Sequence, residues 1–207
     1  MRGRPSVPDP QNNLRAAVEK ALENLRGQDD GQLAWLGAAR AGENWRLTVL
    51  NSPLEVRLGD GRVLGSDGSP VRPACQIIVL HYLGLRQRPE LGQPELTFAH
   101  LPDGRVYAVN YEARVIRRLC ATSGRDADTL RAAASAVGAR PAEGGSLAFD
   151  IDVLPRLRLR LIWHAGDEEF GPSATILLPR NIAALFCIED VVVLSEMLAS
   201  RLAGRPF

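Results

Sequence analysis

Apolar and polar residues alternate most regularly in the last third of the chain. Phe149, Ile151 and Val153 are separated by Asp150 and Asp152, and Leu157, Leu159, Leu161 and Trp163 are separated by Arg158 and Arg160. Successive side chains of a strand point to opposite faces, so this pattern predicts two strands, each with one buried and one wet face. Pro155 falls in the link between them. In an antiparallel pair the residue numbers of partners have a constant sum. Putting Phe149 on the same face as Leu157 or Leu159 makes that sum even, which sets Asp150 and Asp152 opposite Arg156, Arg158 or Arg160. Ala174 to Leu178 predicts a third strand of the same sheet. Glu189 to Leu202 predicts a closing helix that buries Val192, Val193, Met197 and Leu198 and carries Glu189 and Asp190 where the helix dipole favours negative charge.

Helical spacing dominates elsewhere. Leu14, Ala17, Val18, Ala21, Leu22 and Leu25 share one face of a helix from Leu14 to Arg26, with Asn12 or Asn13 as its cap and Gly27 at its end. Asp29-Asp30-Gly31 reads as a turn. Trp45–Leu50 and Leu54–Leu58 read as short strands around Asn51-Ser52-Pro53, and Arg62–Leu64 as a third after Gly59-Asp60-Gly61. Pro73 to Leu85 is apolar almost all round, and its length predicts a buried helix with Pro73 in the first turn. A strand over Leu96–His100 and helices over Val106–Cys120 and Asp126–Val137 complete the chain. Residues 1–12, with Pro5, Pro8 and Pro10, predict a disordered lead-in. Residues 13–207 predict a single α+β domain, a mainly antiparallel β-sheet covered by helices, with a C-terminal three-strand meander followed by the closing helix.

Composition narrows the function classes. The chain has 207 residues, 45% of them hydrophobic, enough to bury a core without disulfides or a structural metal. Lys plus Arg (25) balances Asp plus Glu (24), which argues against a nucleic-acid binder. Every basic residue except Lys20 is arginine. Cys75, Cys120 and Cys187 are far apart and in apolar surroundings, which predicts buried, reduced thiols and no cysteine-ligated metal. No leader peptide and no apolar run of about 18 residues is visible, so a soluble, cytoplasmic protein away from membranes is expected.

The densest cluster of chemistry is His164, Asp167, Glu168 and Glu169, an imidazole and three carboxylates within six residues. Such a set suits a divalent or transition metal, or general acid–base work. It equally suits a hairpin bend in which Gly166-Asp167 turns the chain, the glutamates are solvated and Phe170 tucks back into the core. Together with Trp163 and Phe170 these residues form the candidate ligand-binding site: Trp163, His164, Asp167, Glu168, Glu169 and Phe170. His81 reads as a ligand, a base or a hydrogen-bonded helix histidine; His100 stands at a strand end beside a turn. Arg114, Arg117 and Arg118, near Tyr107 and Tyr111, form one basic set, and Arg156, Arg158 and Arg160 another. Either suits a phosphate or carboxylate, and either reads as a solvated face. No Gly-x-Ser-x-Gly, Walker A or Gly-x-Gly-x-x-Gly motif follows a strand and opens a helix, which removes P-loop hydrolysis and Rossmann hydride transfer.

Several segments together carry a family resemblance. They are Leu80-His81-Tyr82-Leu83, Leu96-Thr97-Phe98, Gly104-Arg105-Val106-Tyr107, the string from Leu161 to Pro172 containing Trp163-His164-Ala165-Gly166-Asp167-Glu168-Glu169-Phe170, then Ala174-Thr175-Ile176-Leu177 and Glu189-Asp190. Over roughly residues 40–203 the chain resembles the bacterial and archaeal family catalogued as domain of unknown function 3786. The resemblance implies an uncharacterised protein with no established activity. Some relatives are fused to a domain with a four-cysteine iron–sulfur motif, in anaerobes that use corrinoid and carbon monoxide chemistry. The three cysteines here form no such motif, and Leu178-Pro179-Arg180 stands where relatives tend to carry an acidic residue. Three readings follow. The first is a non-enzymatic accessory module binding a small-molecule ligand or a protein partner. The second is a metal-dependent enzyme using His164, Asp167, Glu168 or Glu169. The third, implied by the resemblance alone, is an accessory factor of corrinoid or iron–sulfur metabolism.

Overall fold

The structure is a computed structural model that describes residues 10–207. Most of the expected lead-in therefore lies outside the described residues, while Pro10–Asn12 belong to the first helix, α1 (Pro10–Leu25). The fold is α+β and contains two antiparallel sheets. The first joins β1 (Ala39–Ala41), β2 (Asn44–Val49), β3 (Ser52–Arg57) and β4 (Arg62–Leu64) in chain order. The second joins β5 (Pro94–Thr97), β6 (Arg140–Ala142), β7 (Leu147–Leu154), β8 (Leu157–His164) and β9 (Ser173–Pro179) in the order β5-β9-β8-β7-β6. Helices α2 (Asp30–Trp35), α3 (Pro73–Leu83), α4 (Gly104–Tyr111), α5 (Arg117–Ala121), α6 (Ala127–Ala136) and α7 (Ile188–Leu202) complete it. None of the described helices is long and apolar enough to cross a membrane.

The meander has the even register that its alternation demands. Phe149 pairs with Leu161, Asp150 with Arg160, Ile151 with Leu159 and Asp152 with Arg158. Phe149, Ile151, Leu159, Leu161 and Trp163 are all buried on one side of the sheet. On the other side Arg160 donates to both oxygens of Asp150 at 2.7 and 3.1 Å. Asp152 accepts from Arg158 at 2.9 Å and from both terminal nitrogens of Arg140 at 2.8 and 3.0 Å. These arginines hold both aspartates below the ordinary carboxylate range.

The helices seal this core. α3 starts with Pro73 at its first position, where a missing N–H costs nothing, and buries Ile78, Val79, Leu80, Tyr82 and Leu83. The hydroxyl of Tyr82 donates to the Leu36 carbonyl at 2.7 Å and accepts the Arg156 N–H at 3.2 Å, tying α3 to both sheets' surroundings. α7 buries Val191, Val192, Leu194, Met197, Leu198 and Leu202.

Some expectations need correction. Asp29-Asp30-Gly31 opens α2 and is not a free turn, because the Asp29 carboxylate caps the Gln32 N–H at 2.9 Å. The β2–β3 turn sits at Leu50-Asn51, not at 51–53; both residues adopt positive φ, as a two-residue hairpin requires. Leu50 accepts that conformation because its side chain is buried and its N–H reaches the Val153 carbonyl at 3.1 Å, joining the two sheets. β5 stops at Thr97, and residues 98–100 form a 3₁₀ turn that stacks the Phe98 ring on Tyr111 with centroids 4.1 Å apart. The helix expected over Val106–Cys120 contains a π segment at Glu112–Ile116, between α4 and α5. Of the cysteines only Cys75 is buried; Cys120 is half-buried and Cys187 is exposed, since it caps α7 and does not lie within the helix.

Candidate functional site

Of the six residues grouped from the sequence, one is buried and five are exposed. Trp163 lies in the core, 3% exposed, and its indole N–H donates to the Gly124 carbonyl at 2.7 Å. His164, the next residue along β8, faces the other way and is exposed. Beyond it the chain closes on itself. The Asp167 carboxylate accepts the N–H groups of Glu169 and Phe170 at 2.9 and 2.7 Å, and the Asp167 N–H reaches the Phe170 carbonyl at 2.8 Å. Those N–H groups hold the Asp167 carboxyl below its usual range. Glu168 and Glu169 are solvated, as a bend would have them, but Phe170 does not tuck into the core; it stands 69% exposed. Asp167 satisfies the backbone on both sides of the bend, so the turn closes without an apolar anchor. Among the described residues no three His, Cys, Asp or Glu side chains gather as a metal site.

A different constellation forms where α3, α4 and the start of α7 meet. His81, in the last turn of α3, places Nδ1 3.0 and 3.1 Å from the two oxygens of Asp190. Asp190 lies in the first turn of α7, where the helix dipole supports a carboxylate. The pair is partly shielded, with side chains 33% and 13% exposed, and among the described residues Nε2 of His81 has no hydrogen-bond partner. Both residues line a cleft of about 420 Å³ that also takes in Leu185 and Arg86. Partial shielding raises the Cys187 thiol, the Asp190 backbone N–H pulls the other way, and the Asp190 and Glu189 carboxylates add to the rise, so the net shift disfavours the nucleophilic thiolate.

Leu185 also belongs to a larger groove alongside, about 680 Å³, between the start of α4 and residues 182–191. Its floor is apolar, formed by Leu101, Ile182, Leu185 and Phe186. Val106 and Tyr107 make its wall, and the Tyr107 hydroxyl reaches Glu189 at 3.5 Å. The only charged residues on the lining are Asp103 and Glu189, both carboxylates. α4 arrives at this place because Gly104 lies against the Phe98 carbonyl, where a Cβ would collide. Four large hydrophobic side chains stand exposed among the described residues, and three of them are on α4: Val106 at 78%, Val109 at 77% and Tyr107 at 37%.

The sequence singled out His81 but gave it no partner, because Asp190 is 109 residues away. It missed the groove. The available signal was the pair Val106 and Val109, one helical turn apart, facing away from the buried Tyr111 and Val115. Among the other basic and imidazole candidates, Arg114 makes a bidentate contact with Glu196 at 2.7 and 2.9 Å, Arg158 and Arg160 hold Asp152 and Asp150, and His100 bonds Thr97 at 2.7 Å.

The family model described as domain of unknown function (DUF3786) matches residues 32–201, which include both sheets and all but the last residue of α7. No curated protein and no solved structure gives a significant match.

Proposed function

The chain belongs to the DUF3786 family, whose description assigns no activity, and from the chain's own geometry we propose that it is a non-enzymatic binding module that holds a protein segment in the groove beside α4. The observation that carries this is the run of exposed apolar side chains on α4, with Val106 and Tyr107 on the groove wall and Val109 one turn further along, beside an apolar floor rimmed by carboxylates alone. Covering a valine is worth about 1.5–3 kcal/mol, so two valines and the groove floor supply a real driving force for association. The groove is open along its length, which suits a peptide or helix face better than a small molecule that must be enclosed. Asp103 and Glu189 select an occupant with an apolar ridge and a lysine or arginine beside it. Three segments of the family resemblance, those around His81, Val106-Tyr107 and Glu189-Asp190, also meet here.

Selection of displayed random peptides on the folded protein tests this without knowing the partner. Enriched peptides are expected to combine apolar and basic residues, and to lose binding to Val106→Glu but not to Phe170→Ala. Peptides that bind Val106→Glu equally well would remove the groove as the site.

A second reading, an enzyme working by acid–base chemistry, has the His81–Asp190 pair in its favour. A carboxylate that holds Nδ1 fixes the tautomer and leaves Nε2 as the working nitrogen. Turnover within a panel of ester and phosphoester substrates, lost in both His81→Gln and Asp190→Asn, would support it. Turnover indifferent to His81→Gln, or none across the panel, would count against it.

A further inference from the structure

Away from the groove beside α4, two arginines converge on one indole, and among the described residues neither has a carboxylate partner. Trp35 ends α2, Arg88 lies in the connection between α3 and β5, and Arg156 lies in the bend between β7 and β8. The Arg156 guanidinium sits over the Trp35 ring at 4.7 Å from its centroid, and that of Arg88 at 5.8 Å. All three line a polar cleft of about 450 Å³ that shares no residue with the groove beside α4.

Both arginines are aimed by the protein through a single nitrogen. Arg156 Nε donates to the Trp35 carbonyl at 2.8 Å, and its backbone N–H is held by the buried Tyr82 hydroxyl. Arg88 Nε donates to Gln32 Oε1 at 2.8 Å. Gln32 is buried, and its amide nitrogen is committed to the carbonyls of Leu85 and Gln87 at 2.9 and 3.1 Å, so its oxygen has to face Arg88. These contacts fix two guanidinium forks and, among the described residues, leave the terminal nitrogens of both without a hydrogen-bond acceptor.

The remaining charges around the cleft do not neutralise them. Among the described residues neither Arg88 nor Arg156 has a carboxylate in ion-pair range, whereas Arg158 and Arg140 share Asp152 and Arg160 holds Asp150. Three arginines line the cleft (Arg88, Arg156, Arg158) against two carboxylates (Glu90, Asp152), and Asp152 is already occupied by three arginine N–H contacts. An arginine held by its Nε and stacked on an indole has lost most of the freedom that anion binding would otherwise have to remove.

We propose that the Trp35–Arg88–Arg156 cleft is a receptor site for a small molecule bearing a phosphate or diphosphate group. Two forks present parallel N–H donors to tetrahedral phosphate oxygens, which is the geometry in which arginine exceeds lysine. This site is independent of the groove and of the reading built on it.

Inorganic pyrophosphate is the probe, titrated into the whole chain at about 0.15 M salt, where exposed charges are screened beyond about 8 Å. Trp45 and Trp163 are buried, so Trp35 is the indole open to ligand and intrinsic fluorescence reports the cleft. Saturable change in emission is expected. The double variant Arg88→Gln/Arg156→Gln should weaken binding at least about tenfold, the loss expected when charge-assisted hydrogen bonds are removed. Arg156→Lys, which keeps the charge and loses the fork, should weaken it less. Glu90→Gln should tighten it by removing a negative charge from the rim, a change that damage to the fold would not produce. No saturation up to about 10 mM, a limit corresponding to affinity weaker than any useful receptor, would overturn the proposal. So would equal affinity in the double variant, or stronger binding of citrate than of pyrophosphate, which would mark a carboxylate site.

Discussion

The bend at Gly166–Phe170 and the groove beside α4 handle their surface side chains in opposite ways. The bend is rich in charge and satisfied internally: Asp167 accepts two backbone N–H groups of its own turn, and the strand behind it commits the Trp163 indole to a core carbonyl. The groove is poor in charge and unsatisfied: Val106 stands in solvent beside a floor of Leu101, Ile182 and Phe186, and Val109 extends that exposed apolar face one turn further along α4. A dense run of functional-looking residues can thus be a local turn, while ordinary residues brought together from distant segments form the surface that has something to gain from a partner.

Substitutions can break that comparison, and the largest effect falls on the bend's own strand. Trp163→Ala should lower stability by about 3–5 kcal/mol, the usual loss for a large buried aromatic. Its indole also leaves the Gly124 carbonyl unpaired. Thermal or urea unfolding measures this, and a loss below about 1 kcal/mol would contradict a core role for Trp163. Next comes Gly104→Ala, whose added Cβ meets the Phe98 carbonyl and must displace the start of α4. Overpacking of this kind costs about 1–3 kcal/mol. Because α4 forms the groove wall, peptide capture should fall with stability, whereas Trp163→Ala should leave capture by the remaining folded protein intact.

A smaller effect comes with pH. Asp150 and Asp152 have folded pKa values below the ordinary carboxylate range, through hydrogen bonds from Arg160 and Arg140 respectively. A depressed folded pKa contributes stability that is present above the unfolded carboxylate pKa, about 3.9, and is lost as pH falls through the folded value. Unfolding midpoints should therefore drop in acid, and Asp150→Asn/Asp152→Asn should flatten that drop while lowering stability at neutral pH. A wild-type and a variant curve of the same shape would refute the ion-pair account of this sheet face. Smallest of all, Val109→Ala should change stability by less than about 0.5 kcal/mol, because the side chain is exposed, yet weaken peptide capture. A stability loss above 1 kcal/mol would mean that Val109 is packed in the free protein.

How legible each region was follows from the range of the interactions that build it. β7 and β8 could be read, and their register predicted, because period-two alternation admits only pairings that keep Phe149, Leu161 and Trp163 on one side. β1 and β6 could not, since three residues carry no period; β4 is equally short and was placed only by the Gly59-Asp60-Gly61 turn before it. α2 was hidden because Asp29-Asp30-Gly31 has the composition of a turn and becomes a helix start only through the Asp29 cap. The π segment at Glu112–Ile116 follows from packing: Tyr111 stacks on Phe98 and its hydroxyl reaches Ser195 at 3.1 Å, neither of which periodicity reveals. The site was the least legible part. His81 meets Asp190, Tyr107 meets Glu189, and Arg88 meets Trp35 only after the chain has folded.

Site-specific photocrosslinking in living cells sets the two regions against each other most directly, with a benzophenone side chain placed at position 109 in one strain and at position 170 in another. Binding at the groove predicts a discrete protein adduct from position 109 that Val106→Glu abolishes, and none from position 170. A discrete adduct from position 170 alone would contradict that account and return the function to the acidic bend.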